Sequence, residues 1–425
     1  MIKNIQMEKT EKLNWKIIIG AFVLLMIFPP FLGLSIIIGY VCTRCKCMNK
    51  SDYLILMVCI AAYLASVNAT KTPSGDQVTY YVAYNNVPRL GFWKSLIHIY
   101  GLGYYEDPNK TSISVEFMNG VYNYIGYYLT FGYYPLFEFL YSFVSYMLLF
   151  FGIYRFCLTF PKPHVPIVCG ILIIGFFYYY FQFALHIQKQ FFAQTIIMYV
   201  IGNYAYFGKL RRIDWVAIVC AIFTHQSMLF FIPFLVIKRF RQKMNKQTIA
   251  LVLVITSLFI IYGPQMLGGS SQNSGLLTYG IGRFANSEND EDLTGRLAEK
   301  YLLTIALPLS LICIKQLMKL RKTNVESQSF VVVLASILLI TVFAMFNQPL
   351  SQYRFFLMLL TFMPFVFPMA FRNIYNRDMF LKTVSYFMVL SFFVIFNSIM
   401  WTYAPEIDII VKSPLLLIFS NYQNF

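Results

Sequence analysis

Charge is scarce in this 425-residue chain: Asp, Glu, Lys and Arg make up 12% of it, against 58% hydrophobic residues. That shortage excludes an ordinary soluble domain and leaves a polytopic membrane protein as the class to expect. Acidic residues are the scarcer sign, 18 against 34 basic ones, for a net charge of +16. A nucleic-acid partner would need the basic groups gathered on one wet face. Here they fall in short runs between apolar segments, so no nucleic acid is expected. No dense carboxylate cluster offers a Mg²⁺ site, and Glu288-Asn-Asp-Glu-Asp reads as a solvated acidic loop. Gly-x-x-x-x-Gly-Lys, His-Glu-x-x-His and Gly-x-Ser-x-Gly are all missing. Cys42, Cys45 and Cys47 cluster without a fourth ligand nearby, so neither metal nor cofactor is expected. The two long polar loops hold no cysteine, which argues against a disulfide framework. No internal repeat is visible, which weakens the case for a transporter built from inverted halves.

Apolar runs dominate what remains, and a helical crossing needs about 20 apolar residues. Such runs extend from Lys16 to Tyr40, Tyr53 to Thr70, Pro135 to Tyr154, Val165 to Phe183, Ile187 to Phe207 and Ile213 to Ile237. Further runs extend from Gln247 to Leu267, Tyr301 to Met318, Ser329 to Phe346, Tyr353 to Ala370 and Thr383 to Trp401, with a short helix near Pro414 to Phe419. The expectation is an all-α, polytopic helical bundle of about 11–12 transmembrane or half-spanning helices, forming one membrane domain over residues 1–425. The stretch Ile17 to Val41 is longer than a signal core and lacks a small-residue cleavage site, so it reads as a retained anchor.

Basic residues orient the chain. The segments 42–52, 155–164, 208–214, 238–246, 315–326 and 372–382 hold 20 of the 34 basic residues and 4 of the 18 acidic ones, an excess equal to the whole net charge. By the positive-inside rule these loops are cytoplasmic. Basic loops therefore flank the run Ile213 to Ile237 on both sides, which a simple crossing does not allow. Two half-spanning helices meeting at Thr224 to Ser227 satisfy the charges, and they set His225 at membrane depth or near the outer face. Pro29-Pro30 divides the first run in the same way. The loops 71–134 and 268–300 then face outward, the first of them rich in tyrosine: Tyr80-Tyr81, Tyr84, Tyr104-Tyr105, Tyr127-Tyr128 and Tyr133-Tyr134. Tyrosines suit a bilayer interface and also stack on sugar rings.

Ionisable groups at membrane depth usually face a bundle interior or a watery cavity. His186, Gln190 and Gln194 recur at helical spacing with Lys189 beside them, which reads as one polar stripe. The outward side also collects Asp76, Arg89, Lys94, His225, Arg283, Arg296 and Arg354. A lipid diphosphate would sit at that depth, where arginine can fork onto phosphate oxygens. Snorkelling or an intramembrane ion pair explains any single cation equally well. Arg354 is the strongest candidate because it follows Asn347-Gln-Pro-Leu-Ser-Gln-Tyr and starts a span. Histidine changes charge near neutrality, so His225 suits a base or a hydroxyl partner as well as a satisfied structural group. Asp76 is open between base, helix cap and ion-pair partner.

The residues resemble the EpsG-type polysaccharide polymerases, relatives of the Wzy O-antigen polymerases. The likeness rests on Asp76 with Tyr80 and Tyr84, Tyr134-Pro-Leu-Phe, Ile187-Gln-Lys-Gln followed by Ala193, and Phe223-Thr-His-Gln-Ser, with Gly295-Arg296 before Tyr301 and Tyr353-Arg354 also fitting. Lys189 stands where the family has arginine, which keeps the charge and loses the fork. Tyr134 stands where it has glutamate, and Glu138 one turn later is the nearest carboxylate able to replace it.

The resemblance implies a GT-C-like, metal-independent membrane glycosyltransferase of the bacterial cytoplasmic membrane with its active site facing outward. It would transfer a growing glycan from one polyprenyl-diphosphate lipid to a sugar hydroxyl of the next, releasing polyprenyl diphosphate. His225, Asp76 and Arg354 would be catalytic. Lys189, Gln190, His186, Arg296, Arg283, Tyr80, Tyr353 and Gln194 would bind substrate. Its partners would be the lipid-linked donor and acceptor, the bilayer and a chain-length regulator. A flippase of lipid-linked oligosaccharides and an O-antigen ligase are the alternatives.

Overall fold

The computed structural model describes residues 13–44, 48–71, 76–97, 116–176, 187–241, part of 247–258, 307–319, 326–345, 349–371, 408 and 411–420. All the elements among them are helical, with no sheet. They group into two compact units, residues 1–227 with 371–425, and residues 228–370.

The first unit opens with α1 (Trp15–Ile27) and α2 (Pro30–Arg44), separated at an extended Phe28. Proline has no N–H to donate and a helical φ, so Pro30 starts a helix where it could not continue one. The first run is thus two short helices, as its Pro-Pro pair predicts. α3 (Lys50–Asn68) is launched by a reciprocal cap, Asp52 N–H donating to Asn49 Oδ1 at 3.0 Å and Asn49 N–H donating to Asp52 Oδ2 at 2.8 Å.

The stretch expected as an outward loop, 71–134, is more ordered than its composition suggests. It holds α4 (Asp76–Asn85), α5 (Val87–Ile97) and α6 (Met118–Leu129). Tyr84 and Tyr134 are buried, and Tyr84 packs against Tyr127, Tyr134 and Phe137 at ring separations of 4.8–5.2 Å. With Phe137 these two tyrosines form a small aromatic core. The helical spacing of 81 and 84, and of 134 and 137, gives each helix one aromatic face to bury against the others.

α7 (Tyr134–Cys157), α8 (His164–Phe176) and α9 (Gln188–Phe207) complete the bundle around α3. Glu138 meets Gln188 at one end and Arg155 meets Asn203 at the other, so α7 and α9 run parallel. Asn68 donates to Ser142 while the Tyr53 ring lies tilted against Tyr154 at 5.6 Å, so α3 runs antiparallel to α7. Gly152 and Gly202 face each other where α7 and α9 cross, and a Cβ on either would strike backbone of the opposite helix. Small residues permit that approach in a medium where dispersion rather than water expulsion joins helices.

α9 ends on Gly208 in the left-handed region, φ 69°. α10 (Arg212–Thr224) then turns back along it and stops after 13 residues. At 1.5 Å per residue that is about 20 Å, short of a hydrocarbon core of about 30 Å. A 3-10 turn follows over Gln226–Phe231. The divided run expected from the flanking charges is therefore what forms.

The second unit holds α11 (Ile232–Val236), α12 (Lys238–Arg241), α13 (Leu307–Lys319), α14 (Glu326–Ala344) and α15 (Pro349–Phe371). Rings join Phe230 to Phe355 at 5.3 Å and Phe231 to Phe362 at 5.8 Å. Gln352 Nε2 donates to the carbonyl of Val342 at 2.9 Å, linking α14 to α15. In the first unit, α16 (Pro414–Phe419) docks on α7's entry, where Tyr133 OH donates to Ile418 O at 2.8 Å. Among the described residues, α3 and α7 are the helices long and apolar enough to cross a membrane, and α1, α13 and parts of α14 and α15 are shorter apolar helices. The expected span Thr383 to Trp401 and most of Gln247 to Leu267 lie outside the described residues.

Candidate functional site

The site grows from the break after α10. His225 is extended, φ −153° and ψ 122°, so the helix cannot continue through it and its last carbonyls lose their partners. Those groups are met from α6. Asn119 Nδ2 donates to the Thr224 carbonyl at 2.9 Å, and the Tyr122 hydroxyl bonds to Thr224 Oγ1 at 3.1 Å. Glu116, just before α6, accepts from the Gln226 N–H at 3.3 Å. A broken helix is tolerated at membrane depth when neighbours satisfy its freed backbone in this way. His225 Nδ1 lies 2.6 Å from Ser227 Oγ and also accepts the Ser227 backbone N–H at 3.3 Å. With Nδ1 accepting, the neutral ring carries its proton on Nε2.

The start of α9 forms the facing wall. Lys189 Nζ is 3.9 Å from Glu116 Oε2 and 4.7 Å from the centroid of the Tyr80 ring. Its side chain is 29% exposed and that of Glu116 25%, so the pair is open to an incoming ligand. Tyr122, Tyr141 and Phe192 pack together beside it, with Phe192 at 5.1 Å from Tyr122 and 4.6 Å from Tyr141.

A second ion pair lies one residue away and is sealed. Lys71 donates to Glu138 and, at 3.0 Å, to Gln188 Oε1, while Gln188 Nε2 donates to Glu138 Oε1 at 3.2 Å. The side chains of Lys71 and Glu138 are 1% and 0% exposed. Glu138 thus serves an ion pair with Lys71 beneath the site rather than offering a free carboxylate. At the far end of the same helices, Asp214 accepts the Arg211 backbone N–H at 2.8 Å, both arms of its guanidinium at 3.1 Å, and Asn203 Nδ2 at 2.7 Å. The hydrogen bonds to Asp214 hold Arg211 above its ordinary pKa. This latch fixes the beginning of α10, and so the level at which His225 emerges.

Of the residues put forward from sequence, Lys189 and Tyr80 come together, and Glu116, which faces Lys189, also accepts the N–H of Gln226, the residue after His225. Gln190 and Gln194 do not share the open side with Lys189; both are buried within the bundle. A helix advances about 100° per residue, so position 189 turns away from the face that 190 and 194 share. Asp76 begins α4 one turn before Tyr80, and its side chain lies outside the described residues. His186, Arg283 and Arg296 also lie outside them. Tyr353 and Arg354 sit half-buried in α15 of the second unit. Glu116, Asn119 and Tyr122 were missed. They stand in a tyrosine-rich loop with no spacing signal, and only the packing of α6 on the end of α10 singles them out.

Among the described residues, then, the first unit is an all-α bundle with two helices long and apolar enough to cross a membrane, a helix broken at a histidine and an open lysine–glutamate pair beside the break. The EpsG family model matches residues 53–410, and the chain belongs to the EpsG family. Membership brings, in general terms, a glycosyltransferase activity of the polysaccharide-polymerase kind. No curated protein and no solved structure matches the chain.

Proposed function

We propose that this polytopic chain joins polyprenyl-diphosphate-linked oligosaccharide repeat units at the outer face of the bacterial cytoplasmic membrane, without a metal, releasing polyprenyl diphosphate. The observation that carries the reading is Lys189 lying against Tyr80 and Glu116, with Glu116 bonded to the helix break one residue after His225, in a chain of this family. An ammonium at the start of α9 suits one diphosphate oxygen. The face and edge of Tyr80 suit a sugar ring. On the family resemblance alone, Arg296 and Arg354 are assigned to the departing diphosphate and His225 and Asp76 to the acceptor hydroxyl. On the family resemblance His186, Arg283 and Tyr353 complete the substrate contacts, while Gln190 and Gln194, buried within the bundle, are left out of them. Glycosyl transfer needs a base at the nucleophile and positive charge at the leaving group. On unit one, Lys189 and the backbone just past α10 share Glu116, at 3.9 Å from Lys189 Nζ and 3.3 Å from the Gln226 N–H.

The test supplies the purified full chain with polyprenyl-diphosphate repeat units extracted from source cells lacking it, and follows glycan length. A ladder of longer glycans is expected, strongly reduced in His225→Ala and Arg354→Ala. Variants that polymerise as well as wild type would remove those two residues from the mechanism, and movement across the bilayer without lengthening would make the protein a flippase.

A further inference from the structure

We infer that Glu116 is the catalytic base that deprotonates the acceptor sugar hydroxyl, an inference that rests on the polymerase reading. Three observations lead to it. The carboxylate is fixed at the helix break, Oε1 taking the Gln226 N–H at 3.3 Å, one residue beyond His225. It is reachable, at 25% side-chain exposure, whereas Glu138 is fully sealed. And His225 is already committed: with Nδ1 accepting from Ser227, its Nε2 is a donor in the neutral ring, suited to hold an oxygen rather than to take its proton. Lys189, 3.9 Å from Glu116 Oε2, places the cation for a diphosphate next to the base.

The step balances as follows. The acceptor O–H bond breaks and its proton goes to a Glu116 oxygen. The freed electron pair forms the bond to the anomeric carbon of the donor, and the bond from that carbon to the diphosphate oxygen breaks with its pair remaining on the diphosphate. Glu116 then passes the proton to the departing diphosphate or to water and is a carboxylate again. When the diphosphate engages Lys189, the carboxylate exchanges an ion partner for the acceptor hydroxyl.

The measurement is steady-state polymerisation of the same extracted lipid-linked repeat units by the full chain and by Glu116→Gln, Glu116→Asp, Lys189→Met and the Glu116→Gln/Lys189→Met double variant. Loss of a general base lowers kcat by about 10²–10⁴-fold, so Glu116→Gln is expected to fall in that range with KM near wild type, and Glu116→Asp to recover part of the rate. Because Glu116 also faces Lys189, the double variant decides between base and ion partner. A base still matters when Lys189 is gone, so the double variant falls well below Lys189→Met. The inference is overturned if Glu116→Gln stays within about threefold of wild type, if it changes KM alone, or if it costs nothing further in the Lys189→Met background. A wild-type chain that lengthens no glycan sinks the polymerase reading itself, which is a different result from an active wild type with an equally active Glu116→Gln.

Discussion

Lys71–Glu138 and Lys189–Glu116 are the same kind of pair at nearly the same level of one bundle, and they differ in access. The first is roofed by helices and closed by Gln188, with both side chains essentially inaccessible. The second stands at the margin, 3.9 Å apart and more than a quarter exposed on the lysine. Adjacent residues, Gln188 and Lys189, serve one pair each, because successive positions on a helix point about 100° apart. Buried charges without a partner are costly, so a sealed pair is a structural commitment. An exposed pair is screened by solvent and worth little to stability, which leaves it free to exchange its partner for a ligand.

That contrast can be broken most forcefully at the sealed pair. Lys71→Met or Glu138→Leu alone leaves a charge stranded and is expected to destabilise the protein by about 3–5 kcal/mol, with most of the loss recovered when both are replaced. Thermal unfolding in detergent reads this, and a double variant no better than the singles would show that the pair is not what closes the bundle.

The latch at the other end is next. Asp214→Asn removes a charge-assisted fork and is expected to cost about 1.5–3 kcal/mol. The same unfolding curves check it, together with greater protease access near the start of α10. Packing between the ends follows: Gly202→Ala is expected to cost about 1–3 kcal/mol, since a Cβ there meets the Gly152 backbone. Gly39→Ala, facing open space, is the control and should leave the melting temperature unchanged.

The smallest effect on stability belongs to the open pair. Lys189→Met should change unfolding by no more than about 1 kcal/mol while raising KM for the lipid-linked substrate about tenfold, the worth of one charged contact. A large loss of stability there would erase the distinction between the pairs. Tyr80→Leu sharpens it further, trimming about 0.5–1 kcal/mol of cation–π attraction and the matching share of substrate affinity, read in the same assay.

Some of this was open to inspection in one dimension. The helix break at Thr224–His225 followed from basic loops on both flanks of a single apolar run. The division of the first run followed from Pro29-Pro30, and α3 and α7 from length and hydropathy. Lys189 and His225 stood out as polar groups in apolar surroundings. Glu116 did not, because a glutamate in a polar loop carries no mark of its partner, and Lys71 was not singled out for the same reason. Their partners are remote: Lys71 and Glu138 are 67 positions apart. The burial of tyrosines 84 and 134 was not legible for the same reason, since a tyrosine's suitability for an interface is also suitability for a small aromatic core.

Composition and local pattern by themselves determined the helical class and the places where a helix must stop, because each depends on short-range chemistry: burial of apolar side chains, charge at the ends of an apolar run, proline at a first turn. Which carboxylate meets which cation, and which of those meetings stays open to a substrate, was decided only when α6 packed on the end of α10 and α7 crossed α9. Ion-pair choice depends on distances between segments far apart in the chain, and only the folded bundle sets those distances.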